Sequence, residues 1–181
     1  MFAYADACGV HLRLDATETQ VRRPRAHRPG RRAFVSGKRK QNTIKTTTCS
    51  DHAGRTLWSG AVRPGRMHDQ TAVKTEGIAD LLAQHPRVKV SVDEGYRGLA
   101  TAFPDQVLAP PRKPPNDAAA EQVVRYERAR QRQSSRRICV EHAIAEHKQW
   151  RCLQRWIGRR EYFGEAYLAV AGLVSDRAAR R

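Results

Sequence analysis

The sequence has few aromatic residues, no paired cysteines, no long apolar run and little negative charge. Each shortage narrows what the chain can be. Aromatics make up 7% of 181 residues, so the core must be built mainly from aliphatic side chains. The four cysteines, Cys8, Cys49, Cys139 and Cys152, form no C-x-x-C pair and lack zinc-finger spacing, which excludes that class of metal module. With no signal peptide at the N-terminus, they read as free buried thiols in a reducing cytosol. No apolar stretch approaches the roughly 20 residues of a membrane span, so a soluble intracellular protein with no membrane partner is expected. Asp and Glu number 18 against 34 Lys and Arg, for a formal net charge of +16. Such an excess draws polyanions, and nucleic acid is the default polyanion for a soluble protein.

A length of 181 residues with 40% hydrophobic content predicts one domain, 1–181, with an adequate core. Val10, Leu12 and Leu14 alternate with His11, Arg13 and Asp15, the period of a half-buried strand that ends near Asp15. Residues 21–42 are basic and broken by prolines and glycines, and read as a loop or short extended arm. A hairpin follows, with Asp51-His52-Ala53-Gly54 as its turn and Leu57, Trp58 and Val62 on the second strand. After Met67-His68-Asp69-Gln70, a helical region has Ile78, Leu81 and Leu82 as its apolar side. Val88, Val90 and Val92 form one face of another strand that ends at Asp93. A short strand around Val107 and Leu108 lies within a proline-rich loop spanning 104–116. From about Asp117 a long basic helical stretch runs on, with a break near Ser134 and Ser135, and a last helix closes the chain. No internal repeat is visible. The order predicts an α/β fold with mixed strand direction rather than regular βαβ units.

Three carboxylates stand where chemistry would need them: Asp15 and Asp93 at strand ends, and Glu141 on the late helix. Their convergence would make a hard-oxygen site of the kind that holds Mg²⁺ or Mn²⁺. Two such ions about 4 Å apart bind both the attacking and leaving oxygens of an in-line displacement at phosphorus. Each residue also has a plainer role. Aspartate at a strand end often only begins a turn, and Glu141 could simply pair with Arg137 on a helix surface for a few tenths of a kcal/mol. Yet Ile138, Val140 and Ile144 around Glu141 predict a partly buried position, where a carboxylate needs a partner. Arg137, Glu141 and Lys148 share one helix face, and a solvated Lys148 is as plausible as a functional one. His142 and His147 are five apart and not four, so they would not face one zinc ion.

The segments LDATETQVRRPR, VSGKRKQNTIKTTTCSD, RPGRMHDQTA, VDEGYRGL and RRICVEHAIAEHKQWR occur in this order. Together they resemble the catalytic domain of DDE transposases of the insertion-sequence-5 and Harbinger-like type, over nearly the whole chain. The resemblance implies a ribonuclease-H-like fold, a mixed central sheet flanked by helices. It implies Asp15, Asp93 and Glu141 as catalytic ligands of Mg²⁺ (or Mn²⁺), with two ions expected. Arg137 and Lys148 would lie beside DNA phosphates, although Ser134 stands where relatives carry a tyrosine. Lys38, Arg39, Lys40 and Lys45 match a segment placed on the DNA backbone. His68 and Asp69 match a recurring accessory pair, for which an Asp69 helix cap is the plainer reading. The implied partners are transposon-end and target DNA, with a homodimer or higher assembly on it, in the cytoplasm at the nucleoid. Relatives usually carry an N-terminal DNA-binding region, whereas only 14 residues precede Asp15, so a truncated chain is expected. Metal-dependent phosphodiester cleavage with strand transfer is the activity implied. The alternative is a catalytically inactive DNA-binding remnant. An unrelated RNA-coating protein fits the charge but not the motif order.

Overall fold

Alternation along the first long strand decides the layering. The computed structural model describes residues 1–25, 27 and 29–179, with positions 136, 137, 139, 140 and 143 described by backbone only. A short helix, α1 (Phe2–Cys8), leads into β1 (Leu12–Val21). Leu12 and Leu14 join one buried cluster, and Val21, nine positions on, joins another. An odd separation puts them on opposite faces of the sheet. β1 is longer than the sequence reading allowed, and Asp15 is its fourth residue rather than its end. The antiparallel ladder to β2 (Thr43–Ser50) runs from Arg13↔Ser50 to Gln20↔Thr43 and carries the strand onward. The apolar alternation had hidden this, because Thr17 and Thr19 take buried places that a hydropathy pattern reserves for aliphatics.

The expected hairpin joins β2 to β3 (Thr56–Ser59). Its turn is organised by Asp51, whose Oδ1 accepts from the Ala53 and Arg55 amides, both at 2.9 Å, while Gly54 takes a positive φ of 82°. A two-residue strand that the sequence did not reveal, β4 (Arg63–Pro64), pairs with β2. The predicted single helical region after His68 is two helices, α2 (Asp69–Thr75) and α3 (Ile78–Gln84), hinged where Gly77 adopts a φ of 68°. β5 (Val90–Ser91), α4 (Arg97–Ala102) and β6 (Val107–Leu108) follow. The chain then enters α5 (Ala120–Gln149), α6 (Arg151–Gln154), β7 (Arg155–Trp156) and α7 (Phe163–Ala179).

The sheet order is β3-β2-β1-β5-β6, with β4 on β2 and β7 on β1. β1, β2 and β3 are antiparallel, whereas β5, β6 and β7 run parallel to their neighbours. Phe2, Val73, Ile78, Leu82 and Leu99 from the first four helices cover one face. Leu153, Phe163, Tyr167, Val170 and Val174 cover part of the other. A mixed sheet flanked by helices is the ribonuclease-H-like layout that the motifs implied. Among the described residues no helix is long and apolar enough to cross a membrane.

α5 departs from expectation in one respect: it runs unbroken for 30 residues. Its sequence contains neither Gly nor Pro, and the Ser135 hydroxyl donates to the Gln131 carbonyl at 3.1 Å. That bond to the preceding turn lets serine remain inside a helix. The thiols differ from expectation too. Cys49 is buried, and burial pushes its pKa up to about 12, but Cys8 is exposed and Cys152 half-buried. The Cys139 side chain lies outside the described residues.

His147 anchors the end of α5 against the sheet. It is 1% exposed, its Nε2 lies 3.3 Å from Thr56 Oγ1, and its ring is tilted against Tyr167. Burial holds its pKa below the ordinary 6.5, and nearby Glu146 offsets this only partly. Below pH 6.5 the unfolded chain takes up a proton that the folded chain resists, so folding is favoured fully above that pH and less with each step below it. The melting temperature should fall as the pH drops from 7.5 to 5. His147→Gln should make the melting temperature less steep in pH over this range, and an unchanged slope would refute the assignment.

Candidate active site

The register of β1 against β5 brings two carboxylates level. Leu12 pairs with Val90 and Arg13 with Ser91, so two further steps along each chain reach Asp15 and Asp93. There β5 stops and a 3-10 turn, Glu94–Tyr96, begins. The same edge of β1 is taken up again only by β7, at Gln20 and Val21. A cleft of about 570 Å³ is lined by Asp15, Asp93 and Glu141 together with Glu18, Asp69 and five cations.

Asp15 and Asp93 each spend one oxygen locally. Asp15 Oδ1 accepts from the Ala16 amide at 2.8 Å, and Asp93 Oδ1 accepts from Gly95 N at 2.9 Å as the cap of its turn. The turn-forming role is therefore real for Asp93, and does not remove it from the cleft. Glu141 also lines the cleft, but it is exposed, not partly buried as its neighbours predicted. Ile138 is 45% exposed, while Ile144 and His147 are buried. Ile144 and His147 turn the last part of the helix inward, while Glu141 stays open to the cleft.

An acidic wall continues from β1 and α2. Lys45 Nζ donates to Asp69 Oδ1 at 2.7 Å and to the Met67 carbonyl at 3.0 Å, and lies 3.8 Å from Glu18 Oε1. Glu18 in turn accepts from Thr43 Oγ1 at 2.9 Å. The sequence placed Lys45 on the DNA backbone; its ammonium is instead committed inward as counter-ion to two carboxylates. Glu18 is its direct cross-strand partner, which no reading of either strand alone could reveal. Asp69 does not cap α2. His68 does so, through Nδ1 accepting from Gln70 N at 3.3 Å, and Asp69 is left as the first helical residue with its carboxylate on Lys45. A Cβ built on Gly95 would overlap Asp69 Oδ2 and come 3.1 Å from Asp93 Oδ1, so the glycine lets these two carboxylates approach one another. The Tyr96 hydroxyl is fully buried, with no hydrogen-bond partner among the described residues. Burial, then the charges of Asp69, Asp15 and Asp93, raise its pKa far above the ordinary tyrosine range.

The cleft also carries cations. A tight loop closed by Ser36 N donating to Gln41 O (2.9 Å) and Lys40 N donating to Ser36 O (3.0 Å) presents Lys38 and Arg39 to the cleft. Lys40 occupies the left-handed turn position, with φ 55°, and does not line it. Arg66 also faces the cleft, a residue the sequence reading passed over. Lys148 is half-buried there and not simply solvated. Its pKa is lowered, chiefly by burial and then by Arg39, with Asp15 and Glu18 opposing. The Arg137 side chain lies outside the described residues.

The carboxylates that line the cleft, Asp15, Glu18, Asp69, Asp93 and Glu141, are hard oxygen donors of the kind suited to Mg²⁺ or Mn²⁺, with His68 as a nitrogen donor beside them. Among the described residues, however, no three His, Cys, Asp or Glu side chains converge closely enough to hold one ion. The chemistry of the donors fits a divalent cation, while the arrangement is open.

Residues 14–174 match the family model described as DDE superfamily endonuclease. No curated protein and no solved structure matches the chain.

Proposed function

Because the chain belongs to the DDE superfamily endonucleases, we propose that it acts on DNA as a transposase of the insertion-sequence-5 or Harbinger-like type, cleaving phosphodiesters and transferring the freed strand. The supporting observation is one cleft lined both by Asp15, Asp93 and Glu141 and by Lys38, Arg39 and Lys148. Asp15, Asp93 and Glu141 would hold the divalent ions. When bound, Mg²⁺ supplies Lewis acidity at the phosphoryl oxygens and a more acidic attacking water. Lys38 and Arg39 neutralise the strand that enters, and Arg39 can grip a phosphate through two nitrogens at once. Lys148 adds a point charge whose half-buried setting strengthens its pull on phosphate. Lys45 balances the charges of Asp69 and Glu18 and orients them, which preserves the acidic wall.

A second reading, a DNA-binding remnant without catalysis, is favoured by the absence of any ready three-ligand cluster among the described residues. Nicking of supercoiled plasmid at low salt with Mn²⁺ separates the two, with Glu141→Gln alongside. Nicking that requires both Mn²⁺ and Glu141 is the expected result. DNA binding without nicking would instead establish the remnant.

A further inference from the structure

A second basic depression adjoins the cleft. It measures about 430 Å³ and lies between α5 and the proline-rich segment, lined by Arg97, Arg112, Lys113, Tyr126 and Arg130, with Glu94 as its one carboxylate. Glu94 is already matched, since Arg97 Nε and Nη2 both bond it, and Arg97 Nη2 also donates to the Pro110 carbonyl at 2.6 Å. That clamp fixes the proline-rich segment on the turn after Asp93. Arg112, Lys113 and Arg130 are exposed and make no ion pair among the described residues.

The depression and the cleft meet adjacent residues of one turn. Asp93 lines one and Glu94, the next residue, lines the other. They also share a face of α5. Arg130 and Glu141 are eleven residues apart, which at 100° per residue leaves them about 20° from eclipsed and about 16 Å apart along the axis. Gln133, between them, reaches toward the Val92 carbonyl at 3.5 Å and holds the helix across the end of β5. Outside the depression Arg125, Arg128 and Arg132 extend the positive surface around the same helix. A duplex laid along α5, at 3.4 Å per base pair, would set phosphates roughly five base pairs from those in the cleft.

We propose that this depression is a second phosphate-contact site, which grips double-stranded DNA flanking the bond held in the cleft and so sets the path of the duplex across the protein. The inference rests on the proposed function, since it takes DNA as the cleft's substrate. Apolar anchors of the kind a protein partner needs are limited to Pro110, Pro111 and Tyr126, whereas three exposed cations in one hollow match a phosphate backbone.

The test uses the full chain and a 30-base-pair duplex, with affinity followed by fluorescence anisotropy over a salt series. Arg112→Gln/Lys113→Gln is compared with Lys74→Gln/Arg177→Gln, which removes equal charge from exposed positions elsewhere. Losing two phosphate contacts should reduce the slope of log K against log salt by about 1.8, while the control pair should leave it at the parent value. Equal slopes for the two pairs would overturn the inference. A third arm, Lys38→Gln/Arg39→Gln, keeps the two readings apart. A loss confined to that arm overturns the second site and leaves the cleft reading standing. A loss confined to Arg112→Gln/Lys113→Gln supports the depression as a DNA contact and tells against the cleft as the path.

Discussion

Asp93→Asn is expected to lower Mn²⁺-dependent nicking by at least about 100-fold, because even groups that merely orient a metal ligand cost 10–100-fold when lost. The fold should be untouched. The substituted amide keeps a carbonyl oxygen that can accept from Gly95 N, so the cap of the turn at Glu94–Tyr96 survives. What is lost is negative charge at the end of β5, level with Asp15. Circular dichroism and the melting temperature should therefore match the parent while nicking disappears. Full nicking by this variant would remove Asp93 from the catalytic set. A collapse in stability instead would show that its role is to hold the turn.

Lys45→Met should have the largest effect on stability. Lys45 is 8% exposed and is the described counter-ion of both Asp69 and Glu18. Removing one partner of a buried ion pair leaves an uncompensated charge, typically costing 3–5 kcal/mol. Here two carboxylates would lose their cation, but both border an open cleft and can recover some water, so about 3 kcal/mol is the expected loss. For a chain of this size that corresponds to a fall of roughly 6–12 °C in melting temperature. Because the cost comes from stranded charge and not from lost packing, Lys45→Met/Asp69→Leu should lose less than the sum of the two single changes. A fall below about 2 °C for Lys45→Met would show that the cleft hydrates the two carboxylates well enough to make the lysine dispensable. Activity should fall with stability, since Asp69 and Asp93 approach each other around Gly95 and a displaced Asp69 carboxylate would move into the space Asp93 uses.

Much of this protein was legible in its residues. The hairpin at Asp51–Gly54, the short strand at Val107 and Leu108, the closing helix and the mixed strand order follow from local rules of turn chemistry and periodicity, which act over a few residues. Asp15, Asp93 and Glu141 and the segment with Lys38 and Arg39 were readable as motifs in order, whereas Glu18 and Arg66 were not. Other features were not, and three of them shape the site. The length of β1 depends on pairing with β2, which turns threonines into interior residues. The continuity of α5 depends on a serine bonding its own preceding turn. The exposure of Glu141 depends on how α5 lies over the cleft, a matter of rigid-body placement that no pattern of neighbours encodes.

By itself, then, the sequence determined a net charge of +16 and marked Asp15, Asp93, Glu141, Lys38, Arg39 and Lys148, all of which line the cleft, as candidates. Tertiary structure alone decided which of them face one another. It turned Lys45 inward, because β1 and β2 register it against Glu18 while α2 brings Asp69 onto the same ammonium. It left Lys38, Arg39 and Lys148 facing the cleft. The physical reason is range. Propensity and patterning are settled between residues a few positions apart, whereas a charge becomes a counter-ion or a ligand only through neighbours that the chain delivers from far along its length.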